Sequence, residues 1–90
     1  MLKLRMSSRF KRDVKLCEKR GYDIELLKDV LRVLQKQETL PPKHKDHALT
    51  GDMKAFRECH IQPDWLLIYA VDIDTLVLLT HSTGSHADLF

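Results

Sequence analysis

No apolar run in this chain approaches the roughly 20 residues needed to cross a bilayer, and the basic stretch Met1 to Arg12 lacks the apolar core of a secretory signal. A cytoplasmic protein without membrane contact is therefore expected. Cysteine is sparse: Cys17 and Cys59 form no C-x-x-C pair, and each falls within a regular element, so both are expected to be reduced and buried, with no metal or disulfide role. Repeats and low-complexity segments are absent, which excludes solenoids and disordered arrays. The last 33 residues, 58–90, contain no Lys or Arg at all, only five acids, while residues 1–57 carry all fifteen basic residues against eight acids. Such asymmetry suits a polyanionic ligand approached from the basic side. A solvated helix face accounts for part of it too. Ninety residues bury only about 60–65% of the unfolded surface, enough for one core and one domain over residues 1–90.

What is present has a clear order. Leu2, Leu4 and Met6 alternate with Lys3 and Arg5 as in a half-buried strand. Ser7 or Ser8 can cap a helix with Phe10, Val14 and Cys17 on one stripe, and Gly21 ends it. Asp23 caps a second helix to about Gln37, with Leu27, Val30, Leu31 and Leu34 at helical spacing. Leu40-Pro41-Pro42 must run extended. Short strands are then expected at His47–Thr50, Lys54–His60, Trp65–Val71 and Leu76–Leu79, separated by turn residues at Gly51-Asp52, Ile61–Pro63 and Val71–Asp74. Strand, helix, helix, then three or four strands with short connections reads as an α+β fold, two N-terminal helices packed on one face of an antiparallel sheet of about four strands. The other face would curve around the histidines.

Four of the five histidines, His47, His60, His81 and His86, lie in this second half. The strings Lys45-Asp46-His47-Ala48-Leu49-Thr50-Gly51, His60-Ile61-Gln62-Pro63-Asp64-Trp65 and Thr83-Gly84-Ser85-His86-Ala87-Asp88-Leu89-Phe90 resemble the motifs K-D-H-x-L-x-G, H-x-x-P-D-W and T-G-[ST]-H-x-x-L-F of the YafQ-like branch of the RelE/ParE superfamily. That resemblance covers nearly the whole chain. It implies a toxin of a bacterial type II toxin-antitoxin system, a ribosome-dependent endoribonuclease that cuts messenger RNA without a metal or cofactor. It also implies silencing by a cognate acidic antitoxin and contact with operator DNA only through the antitoxin complex.

By motif position the active-site set falls on His47, His60, Asp64, His86 and Phe90. Cutting RNA without a metal needs a base for the 2′-hydroxyl, positive charge for the phosphate and an acid for the 5′-oxygen, and an imidazole with a pKa near 6.5 serves either proton role. His86 is expected to be the general acid, with Asp64 and either His47 or His60 on the base side. Phe90 offers a face for stacking a base, or alternatively a C-terminal core anchor. Lys45, Lys54 and Arg57 are the expected phosphate contacts, Arg57 with a bidentate grip. His44 and His81 match no motif and are expected at the surface.

Ser82 is the one departure from the pattern. Many relatives carry an arginine there, so either Arg57 or a charged His81 replaces it, or the enzyme is slow. Two rival readings use the same residues: a zinc site of His47, His60, His86 and Asp64, and a catalytically weak or inactive module that only binds its antitoxin and takes part in operator autoregulation. A gyrase-poisoning role fits less well, since that branch lacks the histidine set.

Overall fold

A computed structural model describes all ninety residues. Strand β1 (Lys3–Met6) leads into helices α1 (Ser8–Lys19) and α2 (Ile24–Gln35). A 3-10 turn at Pro42–His44 precedes β2 (His47–Ala48), and a second at Gly51–Met53 precedes β3 (Arg57–Gln62). Two long strands, β4 (Trp65–Asp72) and β5 (Val77–Gly84), and a short helix α3 (His86–Leu89) complete the chain. No helix is long and apolar enough to cross a membrane.

The helices form where the side chains predict. Ser7 Oγ accepts from the Phe10 amide at 3.0 Å and Asp23 Oδ1 from the Glu25 amide at 3.0 Å, each satisfying an otherwise unpaired helical N–H. Gly21, at φ 82°, takes the left-handed conformation that ends α1 cheaply. Phe10 and Cys17 of α1 and Leu27, Val30, Leu31 and Leu34 of α2 are buried against Cys59, Ile61, Trp65, Leu67, Tyr69 and Leu78 of the sheet. Both cysteines are free and buried as expected, and burial pushes the Cys59 thiol up to about 12.

The α+β class and the two-helix cover agree with the sequence, and the sheet is richer than expected. It has five strands in the order β1-β5-β4-β3-β2, antiparallel except at one edge, where β1 runs parallel to β5 with Leu4 opposite Leu78. The start of the chain thus pairs with a strand more than 70 residues later. The last strand also runs five residues further than its apolar core suggests, to Gly84, because Ser82, Thr83 and Gly84 continue the ladder with Ile68, Leu67 and Leu66. Thr83 is tied on both sides: its hydroxyl donates to the Leu66 carbonyl at 2.6 Å and accepts from Trp65 Nε1 at 2.9 Å.

Side-chain alternation now sorts residues by face. One transverse row, Ala48-Arg57-Tyr69-Thr80, and a second, Cys59-Leu67-Thr83, point to the helices. The rows His47-Glu58-Ile68-Ser82 and His60-Leu66-Gly84 point the other way.

Candidate active site

That second face holds a cluster of ionisable groups. Pairing of β2 with β3 puts His47 directly opposite Glu58, and alternation puts His60 two residues along on the same face. Glu58 Oε1 lies 3.6 Å from Nε2 of both His47 and His60, while its side chain is only 9% exposed. Glu58 is the residue that motif reading missed. A period-two reading of β3 back from His60 finds it.

His86 approaches from the end of the sheet. A capping box fixes the start of α3: Ser85 Oγ accepts from the Asp88 amide, and Asp88 Oδ2 accepts from the Ser85 amide at 2.9 Å. Arg20, at the end of α1, donates to the same Asp88 oxygen at 2.5 Å. The guanidinium above all, and then the Ser85 amide, hold the Asp88 carboxyl down at about 2. Gly84 is required here, since at φ 155° an added Cβ would stand 2.9 Å from Asp88 Oδ2. His86 is therefore carried on a capped and tethered turn of helix. Its ring centroid lies 5.8 Å from that of His60.

Asp64 accepts from His86 twice, from Nδ1 at 2.8 Å and from the backbone amide at 3.1 Å, and these bonds hold its carboxyl below the ordinary range. Asp64 thus stands on the His86 side and not, as the sequence leads one to expect, with His47 or His60. The pairing follows from the turn between β3 and β4, which carries Asp64 past the strand end to the start of α3. Phe90 is 69% exposed beside this helix and is no core anchor.

The basic residues divide. Lys45 lines a cleft of about 450 Å³ together with Lys43, His44, His60 and Gln62, next to the cluster. Lys54 is exposed at the end of the second 3-10 turn, in the segment entering β3. Arg57 faces the helix side, where its Nε donates to Asp46 Oδ1 at 3.2 Å and Tyr69 donates to the same oxygen at 2.6 Å. Alternation separates it from its neighbour Glu58, so it does not join the histidines. His44 is half-buried, contrary to expectation, and donates from Nδ1 to the His60 carbonyl at 2.7 Å. His81, half-buried, packs edge-on against Phe56 with centroids 5.0 Å apart and shares a 3.0 Å hydrogen bond with Ser82 Oγ. Of Arg57 and His81, the two side chains expected to take the place of an arginine at position 82, His81 is the one beside Ser82.

Two helices on one sheet face and a histidine-rich opposite face define a RelE/ParE-like toxin domain. A family model described as a bacterial toxin of type II toxin-antitoxin systems, YafQ, matches residues 2–90. The mRNA interferase toxin YafQ of Escherichia coli K12 is 40% identical over 85 residues, 93% of this chain and 90% of that protein. Among solved structures, a metal-bound toxin from Helicobacter pylori superposes with a TM-score of 0.95 at 42% identity over the full length of both chains. The toxin of the E. coli DinJ-YafQ complex gives 0.90 at 37% identity, covering all of this chain and 99% of that one. The chain belongs to the YafQ family of type II toxins.

Proposed function

We propose that residues 1–90 act as one unit, an mRNA endoribonuclease that cuts on the ribosome in the cytoplasm and is silenced by a cognate antitoxin. The observation that carries this reading is the opposition of two proton-handling groups, Asp64–His86 on the tail and Glu58–His60 on the sheet. Asp64 accepts from Nδ1 and stabilises the imidazolium, so Nε2 of His86 can deliver a proton to the 5′-oxygen as it leaves phosphorus. On the opposite side the Glu58–His60 pair, flanked by His47, takes the proton of the 2′-hydroxyl, whose oxygen attacks the same phosphorus. The products are a 2′,3′-cyclic phosphate and a free 5′-hydroxyl, with no metal in the balance. Lys43 and Lys45 in the adjoining cleft, and Lys54, offer charge to the RNA backbone. Phe90 offers a stacking face.

The test is primer extension on messenger RNA in a translating extract with a chelator present. New 5′ ends within coding sequence are expected, and no new ends with or without chelator would sink the reading. The antitoxin segment covering this basic cleft should be acidic and fold on contact, with affinity that falls as salt screens the pairs. An affinity independent of ionic strength would indicate an apolar interface instead. Operator DNA would be met through that complex. The Helicobacter pylori relative described above is metal-bound, and by analogy the histidine cluster here is open to a metal ion as well as to RNA.

A further inference from the structure

Lys45, Asp46 and His47 are consecutive, and each side chain goes to a different place. Lys45 stands on the rim of the cleft of about 450 Å³, Asp46 turns to the helix side of the sheet, and His47 faces Glu58 on the open side. The fork is made at Lys45, whose backbone takes the left-handed conformation at φ 47° and ψ 43°. A lysine gains nothing from that conformation by itself, so the structure around it has to hold it there.

Strand pairing holds it poorly. β2 is two residues long at the edge of the sheet, with His47 opposite Glu58 and Ala48 opposite Arg57, and both of its residues are exposed, so little apolar burial secures it. Nδ1 of His47 donates to the Lys45 carbonyl at 2.7 Å, within its own segment, and Nε2 lies 3.6 Å from Glu58 Oε1, beyond hydrogen-bond length. The attachment to the core is made by Asp46. Its Oδ1 accepts from the Tyr69 hydroxyl at 2.6 Å and from Arg57 Nε at 3.2 Å, the second a charge-assisted bond. Tyr69 is buried in the middle of β4 and stands opposite Arg57, which in turn stands opposite Ala48, so one carboxylate oxygen is tied to two neighbouring strands. Burial first, and then the bond to Asp46, push the Tyr69 hydroxyl above its ordinary range, which keeps it a donor.

We propose that Asp46 is a positioning residue for RNA cleavage: bonded to Tyr69 and Arg57, it locks the Lys45–His47 segment so that the His47 ring stands against Glu58. The role rests on the nuclease reading above, in which His47 flanks the base. Without the link the two-residue strand frays, and the His47 ring leaves the place from which it bears on Glu58. Arg57 then has a task on the helix side of the sheet, although it touches neither RNA nor the histidines. The loss should fall on turnover more than on ribosome affinity, because Lys43, Lys54 and Phe90 keep their places.

Two measurements test this on the full chain. Asp46→Ala should lower single-turnover cleavage at saturating ribosomes by about 10- to 10²-fold, with a smaller change in the half-saturating ribosome concentration. Asp46→Asn keeps Oδ1 as an acceptor for both donors and should recover most of that rate, and a rate as low as that of Asp46→Ala overturns the role. In a His47→Ala background Asp46→Ala should cost nothing further, since both changes act through one ring, whereas equal losses in the two backgrounds overturn it. Tyr69→Phe removes a single hydroxyl from a core ring of the same shape, so it reads the link even if Asp46→Ala fails to fold, and it should cost about 2- to 10-fold in rate. The second measurement is independent of cleavage. In NMR spectra the His47 ring signals should shift in Tyr69→Phe while those of His86 stay in place, and His47 signals that do not move overturn the link. A wild-type chain that cuts nothing on ribosomes overturns the nuclease reading and the part of Asp46 in it, while the His47 signals still decide whether Asp46 holds the ring.

Discussion

The two faces of the sheet are built from the same strands and do opposite things. On β3, Cys59 and Ile61 enter the core while Glu58 and His60, one position away, carry ionisable groups. On β4, Trp65, Leu67 and Tyr69 meet the helices, and Leu66 and Ile68 form an apolar floor beneath the histidines. A strand with period two can keep these duties apart at the level of single residues. The helix face supplies rigidity, through close packing and the buried Trp65–Thr83–Leu66 hydrogen bonds. The open face also encloses its floor, with Leu66 and Ile68 buried, but its histidines take their positions from strands that the helix face holds. Substitutions on the two faces should therefore separate activity from stability.

The largest effect belongs to the open face. His86→Ala removes the proposed general acid and should lower cleavage about 10²–10⁴-fold. The melting temperature should barely move, because the His86 side chain is 55% exposed and anchors no core contact. A large drop in melting temperature would make His86 a structural residue and erase the contrast. The mirror experiment is Leu67→Ala on the helix face, where the side chain is fully buried. Loss of about 2–5 kcal/mol in stability is expected by denaturant unfolding. The fraction that remains folded should cut with an unchanged pH profile, and an altered profile would show the faces to be coupled.

Much of this division could be read from the sequence, and what could not has physical reasons. Helix stripes and caps are local signals and led to the right helices, whereas Leu40-Pro41-Pro42 reads as extended throughout and Pro42 instead opens a 3-10 turn. The parallel β1–β5 pair is not local, since nothing in Leu2-Lys3-Leu4 indicates a partner at Leu78. Motif matching found His47, His60 and His86 but passed over Glu58, which looks like one more strand acid until register puts it opposite His47. Arg57 shows the converse: its charge points to substrate, but its place on the strand turns it towards Asp46 and Tyr69. The partner of Asp64 is not legible in the sequence, because only the turn after β3 brings it to His86 at the start of α3.

A third experiment addresses how the helix face holds the open one. Arg20 reaches from α1 to Asp88 and so ties the tail to the core layer. Asp88 is held at about 2, below its ordinary 3.8, so the tether is fully present above 3.8 and is lost as pH falls through about 2. The His86 and Phe90 resonances should lose their folded chemical shifts between pH 4 and 2, before the core amides do. Arg20→Ala should loosen α3 at all pH values and lower the cleavage rate at saturating ribosomes by up to about 10²-fold through misplacement of His86, with a smaller effect on ribosome affinity. Tail resonances that melt only with the core would remove the tether from the account.

The smallest effects concern Ser82, which shares a transverse row with His47, Glu58 and Ile68 two strands away from Glu58, or about 9.6 Å. The arginine that the family resemblance leads one to expect at this place would lie over the same floor, within reach of a phosphate bound between His86 and Glu58 as proposed above. Here the position is a buried serine, 1% exposed, whose hydroxyl meets His81. His81, hydrogen-bonded to Ser82, is then the candidate donor at this place. Its replacement in His81→Gln should cost a single hydrogen bond to the developing charge, about 2- to 10-fold in rate. Ser82→Arg should restore the missing donor and raise single-turnover cleavage about tenfold, with some loss of stability, since a longer side chain must leave an enclosed position. The two changes are not independent. If His81 already supplies the charge, His81→Gln should have no effect in the Ser82→Arg background. Equal losses in both backgrounds would mean that His81 acts elsewhere, through its edge-on contact with Phe56.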